Sequence, residues 1–151
     1  MNFLGPLPQA HPDYLVGLVA AMLFGALIGA ERQWRGHTAG LHTNALVALG
    51  SAAYVIVGVL IGDPSGQARV AGQIVTGVGF LCAGVIMHQG ATVRGINTAA
   101  TVWCSAAVGV MAGFGMILWA AAVTALVLLA NVVLHYVEHR ILKSLQDPGP
   151  P

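Results

Sequence analysis

Five apolar stretches, each about the length needed to cross a hydrocarbon core, divide this chain almost from end to end. They run from Tyr14 to about Trp34, about Thr43 to Gly62, about Val70 to Met87, about Asn97 to Phe114, and Met116 to Tyr136. A bilayer offers no water to unpaired backbone groups, so stretches of this kind close their own hydrogen bonds as helices. Glycine, proline and polar residues punctuate the gaps. Asp63-Pro64 is a helix-start signal, with Asp as cap and Pro in the first turn. Gly113-Phe114-Gly115 leaves so little connection that the fourth and fifth segments should form a tight antiparallel pair. The expected fold class is all-α, an integral membrane bundle of five transmembrane helices. Residues 1–13 form an N-terminal segment, 14–137 the five-helix domain and 138–151 a short tail too rich in proline to fold alone.

Composition excludes several functions. Hydrophobic residues make up 57% of the chain and charged ones only 7%, against about 25% charged in a soluble domain. A net charge of +1 with no basic run argues against a nucleic-acid partner. Lys143 is the only lysine, so no phosphate-binding loop of the Walker type can be built and the chain alone is not an ATPase. No catalytic constellation emerges, and no enzyme activity or cofactor is expected. Cys82 and Cys104 sit in apolar stretches and read as small packing residues rather than a disulfide. The first fourteen residues lack the basic and apolar regions of a cleaved signal peptide.

Three motif-like strings are discounted. Thr76 to Phe80, "TGVGF", has its glycines out of order for a potassium filter. "GVGFLC" has Cys82 where a dinucleotide loop needs its third glycine. "HYVEH", His135 to His139, matches an inverted zinc-protease string, but only twelve residues follow it. No metal site is expected: hard cations take several oxygen ligands, and Glu31 and Asp63 belong to opposite membrane faces.

Lysines and arginines set the orientation. One side receives Arg32, Arg35, Arg94, Arg140 and Lys143, and the other only Arg69. The N-terminus is therefore expected outside and the C-terminus in the cytoplasm. Tyr14 and Trp34 suit the two headgroup levels, and the 21 residues from one to the other span roughly 31 Å as a helix. Glu31 and Arg32 then lie just inside the inner edge of the core. Charges at that depth face the bundle interior or snorkel outward. Glu31 and Arg35 also stand four apart in the favourable order.

Small and polar residues fall on helical faces. The fourth segment carries Arg94, Thr98, Thr101, Ser105 and Gly109 on one side; the first carries Gly17, Ala21, Gly25 and Gly29, ending at Arg32. Such strips are either packing seams or the lining of a narrow polar path through Gln73, Thr76, Thr98, Thr101 and Ser105. Gly25 with Gly29, and Gly109 with Gly113, form G-x-x-x-G pairs that allow close helix approach within or between subunits. A homodimer is expected.

The strings "GALIGAERQWRGHTAGLHTNALVALGSA", "GQIVTGVGFLCAGVIM" and "VRGINTAATVWCSAAVGVMAG" occur in that order. Together they resemble the three signatures of the MgtC/SapB family of bacterial membrane proteins, over about residues 14–137. The resemblance implies a short, membrane-only member in the bacterial inner membrane. It implies magnesium-limitation or virulence-associated physiology, and contact with another membrane complex such as the F-type ATP synthase. The rival class is a transporter or channel for magnesium, another small cation or a small solute. The resemblance implies that the family's charged residues land on Glu31, Arg32, Arg35, Asp63 and Arg94, and the threonine of its Thr-Ala-Ala string on Thr98. From the topology, Glu31, Arg32, Arg35, Arg94, Asn97 and Thr98 are expected to form one polar cluster at the inner end, as a tie between helices or as a site for an anionic headgroup or a partner's acidic residue. Asp63, Arg69 and Gln73 are the candidates at the outer end.

Overall fold

The computed structural model describes residues 12–89 and 92–146, and for 12, 87–89, 135 and 138–146 the backbone only. Five helices follow the five apolar segments: α1 Pro12–Trp34, α2 Leu41–Ile61, α3 Pro64–Val85, α4 Ile96–Gly113 and α5 Ile117–Gln146. Each is long and apolar enough to cross a membrane. The chain is a multi-pass membrane protein.

Two boundaries differ from the sequence reading, and one element is added to it. Helix α3 begins at Pro64 rather than near Val70, on the expected cap: Asp63 accepts the Ser65 N–H at 3.0 Å. Its first turns are polar, so hydropathy starts later than the helix does. Helix α5 continues to Gln146, well past Tyr136, so most of the expected tail is helical. Between α3 and α4 lies a hairpin that the sequence reading did not contain, β1 Met87–Gln89 against β2 Thr92–Arg94, antiparallel, with His88 opposite Val93.

Two helix ends close by the same device. After α1, the His37 N–H returns to the Arg32 carbonyl and the Gly36 N–H to that of Gln33; after α4, Met116 returns to Met111 and Gly115 to Ala112. Both are Schellman closures, which need one residue at positive φ. Gly36 (φ 75°) and Gly115 (φ 76°) supply it. The second closure makes the tight α4–α5 turn that Gly113-Phe114-Gly115 implied.

Helices α1, α2 and α4 form the centre; α3 leans on α2 and α4, and α5 on α1 and α4. The core is built of small residues: Ala21, Ala48, Ala52, Ala112 and Ala120 are fully buried around Ile28 and Val108. The glycine pairs explain the spacing. A methyl group on Gly25 would meet the Asn44 carbonyl oxygen at 2.5 Å, and one on Gly29 the Gly40 carbonyl oxygen at 2.5 Å. On the other flank, a methyl on Gly113 would lie 2.8 Å from the Ala52 oxygen, and Gly109 abuts the Ala48 backbone still more closely. All four glycines therefore clasp α2 within one chain, so none of them is left to join a second copy.

Candidate functional site

The helices alternate in direction, giving the bundle two ends. One holds the close of α1 and the starts of α2 and α4, and is called the Arg32 end; the other, at the α2–α3 turn, is the Asp63 end. The last turn of α1 gathers the charges at the first. The Glu31 carboxylate pairs with Arg35 Nε, one residue past the end of its own helix, and accepts a hydrogen bond from Asn131 Nδ2 of α5 at 3.1 Å. Arg32, only 4% exposed, points a different way and donates from Nη2 to Thr98 Oγ1 of α4 at 3.2 Å. Adjacent residues on a helix diverge by about 100°. That divergence lets one turn tie α1 to α5 and α4 at once.

A second polar tie stands beside it. Asn44 of α2 is fully buried; its Nδ2 donates to the Ala39 and Gly40 carbonyls at 2.9 Å each, and its Oδ1 accepts from Ser105 Oγ of α4 at 2.8 Å. The α2 N-cap is Gly40, which has no side chain to offer. Gln33 Oε1 instead takes the Leu41 N–H at 3.2 Å. The connection from α1 to α2 is thereby fixed by a Schellman turn, a borrowed cap and a buried amide.

Of the expected cluster, Glu31 and Arg35 are joined directly, and Arg32 meets Thr98. Asn97 lines the same cleft as Arg32 without touching Glu31. Arg94 stands apart: it lies exposed on β2, and no hydrogen bond or ion pair reaches it from the described residues. Sharing an end of the bundle did not bring it into contact. Sequence reasoning missed Asn131, Asn44 and Gln33. The signal for Asn131 was a lone amide in the apolar run "VLLANVVL", since polar groups at such positions take partners on other helices.

The five residues of the supposed polar path do not share a lining. Thr98, Thr101 and Ser105 are buried in the α4 seams, whereas Gln73 and Thr76 are exposed on α3, where the Thr76 hydroxyl donates to its own helix at Gly72. At the Asp63 end, Arg69 Nη2 lies 3.4 Å from Asp63 Oδ2, both side chains being largely exposed. With Gln73 they head a groove of about 880 Å³ between α2 and α3 whose walls, Leu46, Tyr54, Val70 and Leu81 among them, are mainly apolar. Cys82 and Cys104 are free thiols, and Cys82 Sγ donates to the Ala99 carbonyl at 3.1 Å. Among the described residues no three of His, Cys, Asp and Glu gather as metal ligands. The side chains of His135 and His139, of Arg140 and Lys143, and all of residues 1–11 lie outside the described residues.

Known proteins are similar to this chain in sequence. Protein MgtC of Salmonella typhimurium strain LT2 is 54% identical over 128 residues, covering 85% of this chain and 55% of its own length. Protein MgtC of Brucella abortus strain 2308 is 53% identical over 127 residues, covering 84% of this chain and 52% of its own. An uncharacterized protein of Synechocystis is 46% identical over 138 residues, covering 89% of this chain and 59% of its own. The chain spans about half the length of the curated relatives it matches. No solved structure matches it. Residues 18–140 match the MgtC family, and the chain belongs to that family.

Proposed function

We propose that this protein regulates ion homeostasis, magnesium in particular, from within the bacterial inner membrane by contact with another membrane complex such as the F-type ATP synthase. The supporting observation is how the bundle uses its polar groups. Thr98, Ser105, Asn44, Asn131 and Glu31 are engaged in ties between helices, which is how membrane bundles fix their packing. The two carboxylates a hard cation would seek, Glu31 and Asp63, stand at opposite ends. The N-terminus faces outside and the Arg32 end the cytoplasm in this reading, because that end carries Arg32, Arg35 and Arg94 against Arg69 at the other. Membership of a family whose members carry the name MgtC agrees with a role in magnesium physiology. A homodimer remains part of the proposal, and with the glycine pairs occupied it uses the outer sides of α3 or α5.

The decisive experiment pairs two assays on purified protein. In liposomes, magnesium and proton fluxes should match those of protein-free vesicles. In inverted membrane vesicles, added protein should lower ATP-driven proton pumping. The α2–α3 groove, with Asp63, Arg69 and Gln73 at its head, favours the second reading of a transporter or channel. Flux above background would establish that reading in place of the first. Cysteines placed at Gly36 and Ser65 should label from opposite sides, the former from the cytoplasm.

A further inference from the structure

Among the described residues Arg32 is a buried cation without a counter-ion. Glu31, its neighbour, is engaged by Arg35 and Asn131, and no carboxylate of the described residues lies within ion-pair distance of the Arg32 guanidinium. Of its five N–H groups one reaches Thr98, and its Nε is enclosed with no acceptor. A charged group left buried and unpaired is strongly unfavourable, as when one partner of a buried pair is removed. The guanidinium lines a cleft of about 370 Å³ between α1, α4 and α5, with His37, Asn97, Thr101 and Asn131 among its other polar walls. Asn97 belongs to the first turn of α4, whose N-cap Gly95 supplies no side-chain acceptor. The unpaired N–H groups and helix dipole of such a turn add positive potential.

We infer that this cleft binds a phosphate group, with the Arg32 guanidinium as its principal ligand. Its planar fork of donors matches tetrahedral oxygens, and the neighbouring amides can donate to the remaining ones. The cleft is too small for a helix of 10–12 Å diameter from a protein partner, which argues against an inserted acidic segment. Its depth is that of headgroups: Trp34, two residues further along α1, is 92% exposed, as an interfacial anchor is. The α5 wall, Val127, Ala130 and Leu134, is apolar and leads toward lipid. The phosphate is therefore that of an anionic phospholipid, with free phosphate as the other source of the same chemistry. The inference stands whether or not the regulatory reading does.

Native mass spectrometry of the full chain in mild detergent tests it, with phosphatidylglycerol, phosphatidylcholine and inorganic phosphate as probes and thermal unfolding as the second readout. The wild type should retain phosphatidylglycerol over phosphatidylcholine by about fivefold or more, the equivalent of about 1 kcal/mol for one basic residue at an anionic surface. Arg32→Gln should abolish the preference. Ala130→Phe, which fills the cleft and leaves Arg32 in place, should abolish it too, and it decides the question if Arg32→Gln does not fold. A rise in melting temperature with millimolar phosphate, absent in the variants and without lipid preference, would support the site and assign it to the free anion. No response to either probe, or a preference that survives both substitutions, would overturn it.

Discussion

Among the described residues each end of the bundle carries one carboxylate–arginine pair, and the two pairs are not alike. At the Arg32 end the Arg35 and Glu31 side chains are 27% and 11% exposed, and a third residue, Asn131, reaches in from another helix. At the Asp63 end the Arg69 and Asp63 side chains are 76% and 47% exposed, 3.4 Å apart, and belong to one turn and the helix it starts. Charge type is identical; burial and the number of helices joined differ. An exposed pair is screened by water and has to order two long side chains, whereas a partly buried one is screened less and here joins a second helix through Asn131. The contrast assigns the Arg32 end to holding the bundle together and the Asp63 end to shaping a local turn.

The largest effect should come from Gly29→Leu at the Arg32 end. A methyl there already meets the Gly40 oxygen at 2.5 Å and the Leu41 Cα at 2.6 Å, both backbone atoms that cannot rotate aside. Overpacking of this kind costs about 3 kcal/mol or more, so the purified variant should unfold far earlier in detergent titration. Gly72→Leu on α3, where nothing lies within 4 Å of an added Cβ, should behave like the wild type. Equal stability of the two variants would break the claim that α2 is clasped from within the chain.

Asn44→Leu comes next. It removes three hydrogen bonds and leaves the Ala39 carbonyl and Ser105 hydroxyl buried. Bonds between membrane helices are individually modest, so the loss should be about 2 kcal/mol, read as an earlier unfolding midpoint. Adding Ser105→Ala to Asn44→Leu should cost less than the sum of the two single changes. Full additivity would mean that the α2–α4 tie is not energetically real.

Glu31→Gln should cost about 1 kcal/mol, because the amide can still accept from Asn131 while Arg35, more than a quarter exposed, turns to water. Membrane insertion should be unchanged. In a complementation assay under magnesium limitation the variant should be impaired, and an unaltered phenotype would reduce the pair to scaffolding.

What could be read in advance follows the same division between local and distant. Five helices, the α4–α5 turn and the Asp63 cap were legible because each rests on neighbours in sequence. So was the Glu31–Arg35 pair, through its spacing of four. The Asn131–Glu31 bond spans 100 positions, and a lone amide announces that it needs a partner without naming one. Arg94 was assigned to the correct end, yet an end is wider than an ion pair is long. Three-residue strands carry too little periodicity to announce themselves, which is why the hairpin from Met87 to Arg94 went unread. The start of α3 was misplaced for a different reason, since hydropathy marks where a helix meets lipid rather than where it begins.

The smallest effect is expected at the Asp63 end, and it separates two roles of one carboxylate. Asp63 accepts the Ser65 N–H at 3.0 Å as the α3 cap and lies 3.4 Å from Arg69 as an ion partner. If the cap is what matters, Asp63→Asn should be nearly silent, because Asn caps as well as Asp does, while Asp63→Ala should lose about 1 kcal/mol. Arg69→Gln should change stability by less than about 0.5 kcal/mol, as exposed pairs do. Raising the salt concentration should leave the order of the three variants unchanged, since the cap bond is short-ranged and the pair is already screened. An Arg69→Gln loss as large as that of Asp63→Ala would put the two ends of the bundle on an equal footing. The contrast drawn from their burial would then fail.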